Sequence, residues 1–167
     1  MDENVAALAR ANNNEELPKE LGTDLFLTVS KLTPMISVEL LIQKHDKGER
    51  YTLLTWRQDD FYKGWHLPGG VLRFKESIEN RIRAVAKTEL FSTVLKTEGP
   101  IAINEIMNTE RDVRGHFISL LYSVELLNQS QLVEYEPDHV LFPGVVSWFK
   151  IPPSNLLIQH DIYRVFF

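Results

Sequence analysis

The feature that most constrains how this chain folds is a pair of glycines followed by an amphipathic helix. Residues 64–91 read GWHLPGGVLRFKESIENRIRAVAKTELF. The spacing of their apolar residues predicts a helix over residues 76–90. Glycine lets the backbone approach another group closely. The stretch therefore predicts a tight turn at Gly69 and Gly70, leading into a helix that packs on a sheet.

The apolar stripe of this helix ends on a carboxylate. At 100° per residue, Ile78, Ile82, Val85 and Glu89 fall within an arc of about 60°. An unpaired carboxylate is costly to bury. If Glu89 follows the other three toward the sheet, it needs a cation, hydrogen bonds or a metal ion. The alternative is that the stripe frays near the helix end and water solvates Glu89.

The glycine turn supplies the kind of partner that a buried Glu89 would need. Backbone carbonyls of such a turn can coordinate a hard cation, and we expect Gly69 to do so. A glycine carbonyl and a helix carboxylate form part of a Mg²⁺ or Mn²⁺ site, which water and substrate phosphate complete. The turn and the stripe together favour a metal site over a solvated Glu89.

The remaining pattern predicts an α/β fold, with a mixed sheet lying between helices. Residues 35–44 alternate as a strand, with Ile36, Val38 and Leu40 on one face and Ser37 and Glu39 on the other. HDKGER then predicts a hairpin turn before the return strand YTLLTWRQ. A short helix is predicted from Thr23, strands for PIAINEIMN, HFISLLYSVEL and VVSWFKI, and a last helix near SNLLIQHDIYRVFF.

Length and composition indicate one domain with a short extension. The chain has 167 residues, of which 44% are hydrophobic, enough for a core. Residues 1–22 contain the polar run NNNEELPKE and predict an N-terminal extension. Residues 23–167 are expected to form the single domain.

Composition also excludes several classes of function. Net charge is −5 and no Lys/Arg run occurs, which argues against nucleic-acid and membrane partners. The chain has no cysteine, so disulfides, thiolate zinc sites and cysteine nucleophiles are excluded. The start MDENVAALAR lacks the apolar core of a signal peptide. We therefore expect a cytoplasmic protein.

With the glycine turn and Glu89 in place, the sequence resembles the Nudix hydrolase superfamily. The family box is G-x5-E-x7-R-E-U-x-E-E-x-G-U, where U is a bulky apolar residue. Gly70 opens the box here, and Glu76 and Glu89 match its first and last glutamates. The resemblance implies a Nudix-type α/β/α sandwich and a divalent cation, Mg²⁺ or Mn²⁺. Four other positions differ from the family box: Ala84 stands in place of Arg, Val85 and Thr88 in place of Glu, and Phe91 in place of Gly.

Within the superfamily the chain is most similar to the GDP-mannose mannosyl hydrolases, which also lack part of the box. The resemblance covers residues 24–167 and is densest in TPMISVELLIQKHDKGERYTLLTWRQDDFYKGWHLPGG. It implies that water attacks the anomeric carbon of a nucleotide sugar. The nucleoside diphosphate then leaves with its charge stabilised by Mg²⁺ and arginine. A homodimer is implied as well.

The resemblance also implies a general base in the loop before the last strand. His139 in YEPDH is the candidate, with Asp138 or Glu136 as a metal ligand or orienting carboxylate. The spacing to Trp148 is longer than in the branch. The alternative is an ordinary solvated loop.

Four further residues take implied roles in binding or catalysis. Arg57 is expected to bind the diphosphate, and Glu39 to bind sugar hydroxyls or a base edge. Arg73 is the candidate for a second arginine, because Val71 stands where the branch has one. Trp65 is expected to flank the entrance and stack on a base. The alternatives are an exposed strand-end arginine, a sheet-surface carboxylate and a core tryptophan.

The sequence leaves some polar residues with weaker interpretations. Glu76 lacks its usual box partner, and Arg81 or Arg83 could replace it, although both have the pattern of solvated residues. His66 could flank the site. His45 and His160 are predicted to lie on the surface.

Three functions remain open at the level of sequence. The first is hydrolysis of a nucleotide sugar at carbon, as the branch implies. The second is pyrophosphohydrolase action on a nucleoside-diphosphate-linked substrate. The third is a Nudix-fold ligand-binding module without catalysis, which the changed box positions Ala84, Val85 and Thr88 support.

Overall fold

The computed structural model describes residues 23–127 and 140–167. The predicted N-terminal extension, residues 1–22, and the candidate residues Asp138 and His139 lie outside this part. The described residues fall into two compact units. One contains residues 23–35 and 105–118, and the other contains residues 36–104, 119–127 and 140–167.

The first unit contains the helix α1, Thr23–Leu32. Ser30 is the buried residue of this helix. Its hydroxyl donates to the Leu27 carbonyl at 2.7 Å and accepts the backbone N–H of Arg114 at 3.1 Å. The Arg114 guanidinium lies 5.6 Å from the Phe26 ring centroid. These contacts tie residues 105–118 to α1.

The strands and the other helices confirm the predicted α/β class. The strands are β1 (Met35–Leu41), β2 (Gln43–Asp46), β3 (Glu49–Gln58), β4 (Lys63–His66), β5 (Gly69–Val71), β6 (Thr93–Met107), β7 (His116–Leu127) and β8 (Val146–Phe149). The second helix α2 is Ile78–Leu90, and a 3₁₀ helix follows at Ile158–Phe166. No helix in the described residues is long and apolar enough to cross a membrane.

The strands form two sheets. One has the order β5-β1-β7-β6, and the other has the order β2-β3-β4 with β8 also paired to β3. The pairs that position the candidate site are both antiparallel. Glu39 of β1 lies opposite Gly69 of β5, and Arg57 of β3 lies opposite Gly64 of β4.

Both faces of β1 are covered, which differs from the predicted apolar and polar faces. Val38 and Leu40 pack in one core with α2, and Leu41 packs in a second core. Glu39, on the predicted polar face, is only 8% exposed. Period-two alternation identified the two faces, but it could not show that a second layer covers the polar one.

Several boundaries also differ from the prediction. The strand predicted at 35–44 ends at Leu41, and β2 begins at Gln43. The strand predicted from Pro100 begins at Thr93, directly after α2, and the predicted last helix is a 3₁₀ helix. Polar and breaker residues such as Lys96 and Gly99 within β6 hid its first half from a pattern-based assignment.

Helix α2 packs its predicted stripe on the first core. Ile82 and Val85 are each 2% exposed and contact a cluster that includes Val38, Leu40 and Leu53. The helix begins after Ser77, whose side chain accepts the backbone N–H of Asn80 at 3.2 Å. A serine at this position satisfies an N–H that the first turn leaves without a partner.

The C-terminus of α2 is closed by a strained residue. Phe91 adopts the left-handed conformation, with φ 49° and ψ 33°, and its N–H bonds to the Ala86 carbonyl. Glycine is the usual residue at such a position because it has no Cβ. The Phe91 side chain is 89% exposed, so its ring contributes little packing in return for this strain.

We predict that Phe91→Gly raises the free energy of unfolding by about 1 kcal/mol, because it removes the left-handed strain. Urea denaturation of both proteins measures the difference. Phe91→Ala is the matched control, since alanine removes the ring but keeps the Cβ. An equal gain from Phe91→Ala would show that the exposed ring, and not the backbone, limits stability.

Candidate functional site

The glycine turn is built against the carboxylate of Glu39. In the β1–β5 pairing, Glu39 lies opposite Gly69. A Cβ added at Gly69 would collide with the Oε2 atom of Glu39 and would lie 2.9 Å from the Val38 carbonyl oxygen. The carboxylate therefore occupies space that only glycine leaves open.

Helix α2 brings a second carboxylate to the same turn. Glu89 accepts a hydrogen bond from the backbone N–H of Gly69. Its Oε2 atom also lies 3.4 Å from the hydroxyl of Thr55 on β3. Leu53 lies in the core that α2 covers, so period-two alternation places Thr55 on the same face of β3. Gly69 thus contacts both Glu39 and Glu89.

Burial raises the pKa of both carboxyl groups. Burial is the main cause that raises the pKa of Glu39 to about 8, and the Glu89 charge raises it further. Burial likewise raises the pKa of Glu89 to about 7, although the bond from the Gly69 N–H and the charge of Arg57 favour its charged form. Two carboxylates in one buried place disfavour ionisation of both.

Arg57 supplies positive charge to this pair. It shares the Thr55 face of β3, and its charge lowers the pKa of both Glu39 and Glu89. Its Nε donates to Asp59 Oδ2 at 2.6 Å. Its guanidinium carbon lies 4.6 Å from the Tyr62 ring centroid.

The Thr55 hydroxyl, which lies next to Glu89, is hydrogen-bonded to His66, and His66 is bonded in turn to a backbone carbonyl. The Nδ1 atom of His66 lies 2.6 Å from the Leu67 carbonyl, and its Nε2 atom lies 3.0 Å from the Thr55 hydroxyl. A carbonyl only accepts, so Nδ1 carries the proton and Nε2 accepts from Thr55. Burial is the main cause that lowers the pKa of His66 to about 4. The imidazole therefore stays neutral and holds Thr55 in place beside Glu89.

Glu76 and Arg81 form a separate, partly buried pair, and the Arg81 side chain lies next to Gly70. Arg81 donates through Nε at 2.9 Å and Nη2 at 2.6 Å to Glu76 Oε2, and Glu76 also accepts the backbone N–H of Arg73. Arg81 is 9% exposed, whereas it had the pattern of a solvated residue. The replacement partner for Glu76 is thus Arg81, while the exposed Arg83 pairs with Glu79.

The structure brings four of the predicted site residues together: Glu39, Arg57, Gly69 and Glu89. Arg73 is exposed, and its charge acts on Glu76. Asp138 and His139 lie outside the described residues.

Trp65 has a different environment from the one its predicted role requires. It is 3% exposed, and its ring packs at 5.4 Å from Trp56 and 4.9 Å from Phe149, both edge to face. A ring enclosed in this way has no open face for a base, so burial argues against a substrate contact by Trp65. The alternative given above, a tryptophan packed in the core, describes Trp65 better.

The surface assignment of His160 is wrong, because it is 8% exposed. Its Nδ1 accepts the backbone N–H of Leu67 at 3.3 Å, and its ring lies 5.7 Å from that of His66. Burial lowers its pKa well below the ordinary value. His45 is exposed as predicted. Sequence reasoning also missed Thr55 and Asp59, which lie next to recognised residues but carry no motif of their own.

The fold is that of the Nudix hydrolases. A MutT Nudix hydrolase from Burkholderia pseudomallei aligns with a TM-score of 0.60 and 19% identity, covering 80% of this chain and 98% of that one. A possible asymmetric diadenosine tetraphosphate hydrolase from Jonesia denitrificans aligns with a TM-score of 0.52 and 16% identity, covering 79% and 91%.

At these identities the likeness concerns the fold alone. No family model matches the sequence, and no curated protein is significantly similar to it. The predicted Nudix-type α/β fold is therefore confirmed by structure.

The donor set at Gly69 suits a hard divalent cation. Two buried carboxylates converge on one backbone residue, and each has a raised pKa because burial leaves its charge under-compensated. Oxygen donors of this kind are the ones that Mg²⁺ and Mn²⁺ prefer. No group of three or more His, Cys, Asp or Glu side chains suited to a metal occurs within residues 23–127 and 140–167. Glu39 and Glu89 are the two buried carboxyl groups that meet at Gly69.

We predict that the metal-free protein loses stability between pH 7 and pH 9. The folded-state pKa of Glu39 and of Glu89 lies above the unfolded value, so the folded state holds protons that the unfolded state has released. That stability is lost as pH rises through about 7 and 8, by about 1–2 kcal/mol over this window. Both buried histidines stay neutral there.

Urea denaturation with a chelator at several pH values measures this loss. Glu39→Gln should flatten the slope, and added Mg²⁺ should stabilise the wild type more at pH 9 than at pH 7. A slope unchanged by Glu39→Gln would mean that this carboxyl is already ionised at pH 7.

Proposed function

We propose that this protein is a Mg²⁺-dependent hydrolase of a nucleotide sugar of the GDP-mannose type, releasing the sugar and a nucleoside diphosphate. One observation carries the proposal: Glu39 and Glu89 converge on Gly69, and the charge of Arg57 acts on both carboxyl groups. Carboxylates suit the cation, and a guanidinium suits phosphate oxygens. A diphosphate can bind a cation and a guanidinium at the same time.

Each residue has a distinct task in this proposal. Glu39, which the sequence resemblance assigned to sugar hydroxyls or a base edge, would instead hold the cation together with Glu89, and the bound cation would neutralise negative charge on the diphosphate. Arg57 binds the diphosphate and stabilises the charge that develops as it leaves. The Gly69 N–H holds the Glu89 carboxylate through its hydrogen bond, and the Thr55 hydroxyl, which donates to neutral His66, lies 3.4 Å from Glu89 Oε2. Gly69 is proposed as a further ligand through its carbonyl.

The composition of α2 supports attack at carbon over attack at phosphorus. Of the box positions that hold carboxylates in the family pattern, Val85 lies in the core at 2% exposure, and the Thr88 hydroxyl donates to the Ala84 carbonyl at 2.8 Å. The helix therefore contributes Glu89 alone to the glycine turn. A single cation suffices to stabilise a leaving diphosphate, whereas attack at phosphorus in this superfamily is expected to use several cations.

A general base is needed to activate water at the anomeric carbon. We propose His139 for this role, with Asp138 as an additional metal ligand or orienting group. This assignment rests on the sequence resemblance.

Two other functions have specific support. Pyrophosphohydrolase action is favoured by the fold shared with the structure named as a possible diadenosine tetraphosphate hydrolase. Ligand binding without catalysis is favoured by the apolar or neutral residues at Ala84, Val85 and Thr88. Both alternatives use the same carboxylates and the same arginine.

A screen of nucleotide sugars with Mg²⁺ in ¹⁸O-labelled water separates the three functions. Attack at carbon gives labelled free sugar and unlabelled nucleoside diphosphate. Attack at phosphorus gives sugar phosphate and nucleoside monophosphate, one of them labelled. Binding without turnover of any substrate would support the module.

We predict that Glu89→Gln lowers kcat for the best substrate by about 100-fold or more and weakens Mn²⁺ binding, because it removes a charged ligand. Steady-state kinetics and calorimetric titration with Mn²⁺ measure the two effects. Glu79→Gln is the matched control, because Glu79 lies on the same helix but is exposed and paired with Arg83. Wild-type metal affinity in Glu89→Gln would remove Glu89 from the site.

We predict that His139→Ala lowers kcat without changing Mn²⁺ affinity, because a general base acts on water and not on the cation. His45→Ala serves as its control, since His45 is exposed. Full activity of His139→Ala would move the base to another residue.

A further inference from the structure

Asp59 closes the turn between β3 and β4 with one of its carboxylate oxygens. Its Oδ1 atom accepts the backbone N–H groups of Phe61 at 2.9 Å and Tyr62 at 2.8 Å, and its own N–H donates to the Tyr62 carbonyl at 2.9 Å. Burial opposes ionisation of Asp59, but the two N–H groups on Oδ1 and the guanidinium of Arg57 lower its pKa. An aspartate that accepts two backbone donors is held in one orientation.

The second oxygen of Asp59 holds Arg57. Oδ2 accepts the Nε–H of Arg57 at 2.6 Å. The guanidinium carbon lies 4.6 Å from the ring centroid of Tyr62, a residue of the same turn. The backbone of Arg57 is also fixed, because it pairs with Gly64 across the β3–β4 ladder. The guanidinium is thus restrained from one edge, from one face and through its backbone.

The Nη1 and Nη2 groups of Arg57 are the part of the guanidinium that remains for binding an anion. Within residues 23–127 and 140–167, the hydrogen bond of the Arg57 side chain is the one from Nε to Asp59. A guanidinium has five N–H donors, four of them on Nη1 and Nη2. With Nε engaged, bidentate binding of an anion must use the Nη1–Nη2 edge.

We propose that Asp59 is a positioning residue that presents the Nη1–Nη2 edge of Arg57 to the diphosphate of the substrate, a role that rests on the function proposed above. Asp59 contacts no substrate in this account and acts through Arg57. Because Asp59 already restrains the Arg57 side chain, this side chain loses less rotamer freedom when the diphosphate binds.

The sign of the effect distinguishes positioning from simple electrostatics. The Asp59 charge repels an anion, so electrostatics alone predicts that neutralising it tightens diphosphate binding. Positioning predicts the opposite, because a released Arg57 must be ordered again by the ligand. Asp59→Asn tests this sign, since the asparagine Oδ1 can still accept the two turn N–H groups but its amide cannot accept from Nε.

The experiment measures binding of methylenediphosphonate, a non-hydrolysable diphosphate, in saturating Mg²⁺ by calorimetry. We expect Asp59→Asn to weaken binding about fivefold, with an unchanged urea midpoint. Asp60→Asn is the matched control: it removes the same charge from the neighbouring exposed residue, and it should bind as the wild type or slightly tighter. Arg57→Ala should weaken binding more than about tenfold, and adding Asp59→Asn to it should have no further effect.

The outcomes separate the two levels of the proposal. The positioning role alone is contradicted if Asp59→Asn binds the diphosphonate as tightly as the wild type or more tightly, while Arg57→Ala binds it more weakly. The same conclusion follows if Asp59→Asn weakens binding equally when Arg57 is alanine. No binding by the wild type, or wild-type binding by Arg57→Ala, contradicts the proposed function together with the positioning role.

Discussion

The close approach of two carboxylates to Gly69 is the constraint on which the site depends. The Glu39 carboxylate fills the space where any other residue would carry its Cβ, and the Gly69 N–H donates to Glu89. One residue without a side chain therefore joins strands β1 and β5 to helix α2. A larger residue at position 69 would displace the Glu39 carboxylate and separate the two acids.

This convergence works against the stability of the metal-free fold. Two buried carboxyl groups with pKa values of about 8 and 7 resist ionisation, and Arg57 offsets only part of that cost. Arg57 is itself shared with Asp59. The Thr55–His66 pair adds no charge, because His66 is neutral and accepts the single Thr55 proton. A divalent cation would supply the missing charge, which is why the proposed function uses the same residues that strain the fold.

The sequence predicted the parts of the site that a local pattern can show. The glycine turn is visible in PGG, and the position of Glu89 follows from the stripe that begins at Ile78. Burial of Glu39 was not visible, because it depends on layers formed by distant residues such as Leu121 and Tyr163. Asp59 and Thr55 were missed for the same reason: each gains its meaning from the residue it contacts, and neither lies in a motif.

Helix α2 shows how one residue can supply a contact that another position of the same helix lacks. Ala84 cannot pair with Glu76, but Arg81 from the preceding turn of the helix reaches it with two hydrogen bonds. Phe91 keeps the left-handed conformation that glycine would adopt without strain. Val85 joins the core, while Glu39 from β1 brings a second carboxylate to the glycine turn. The charge beside Gly69 thus comes from a strand and a helix together, which is the arrangement that the proposed single-cation site uses.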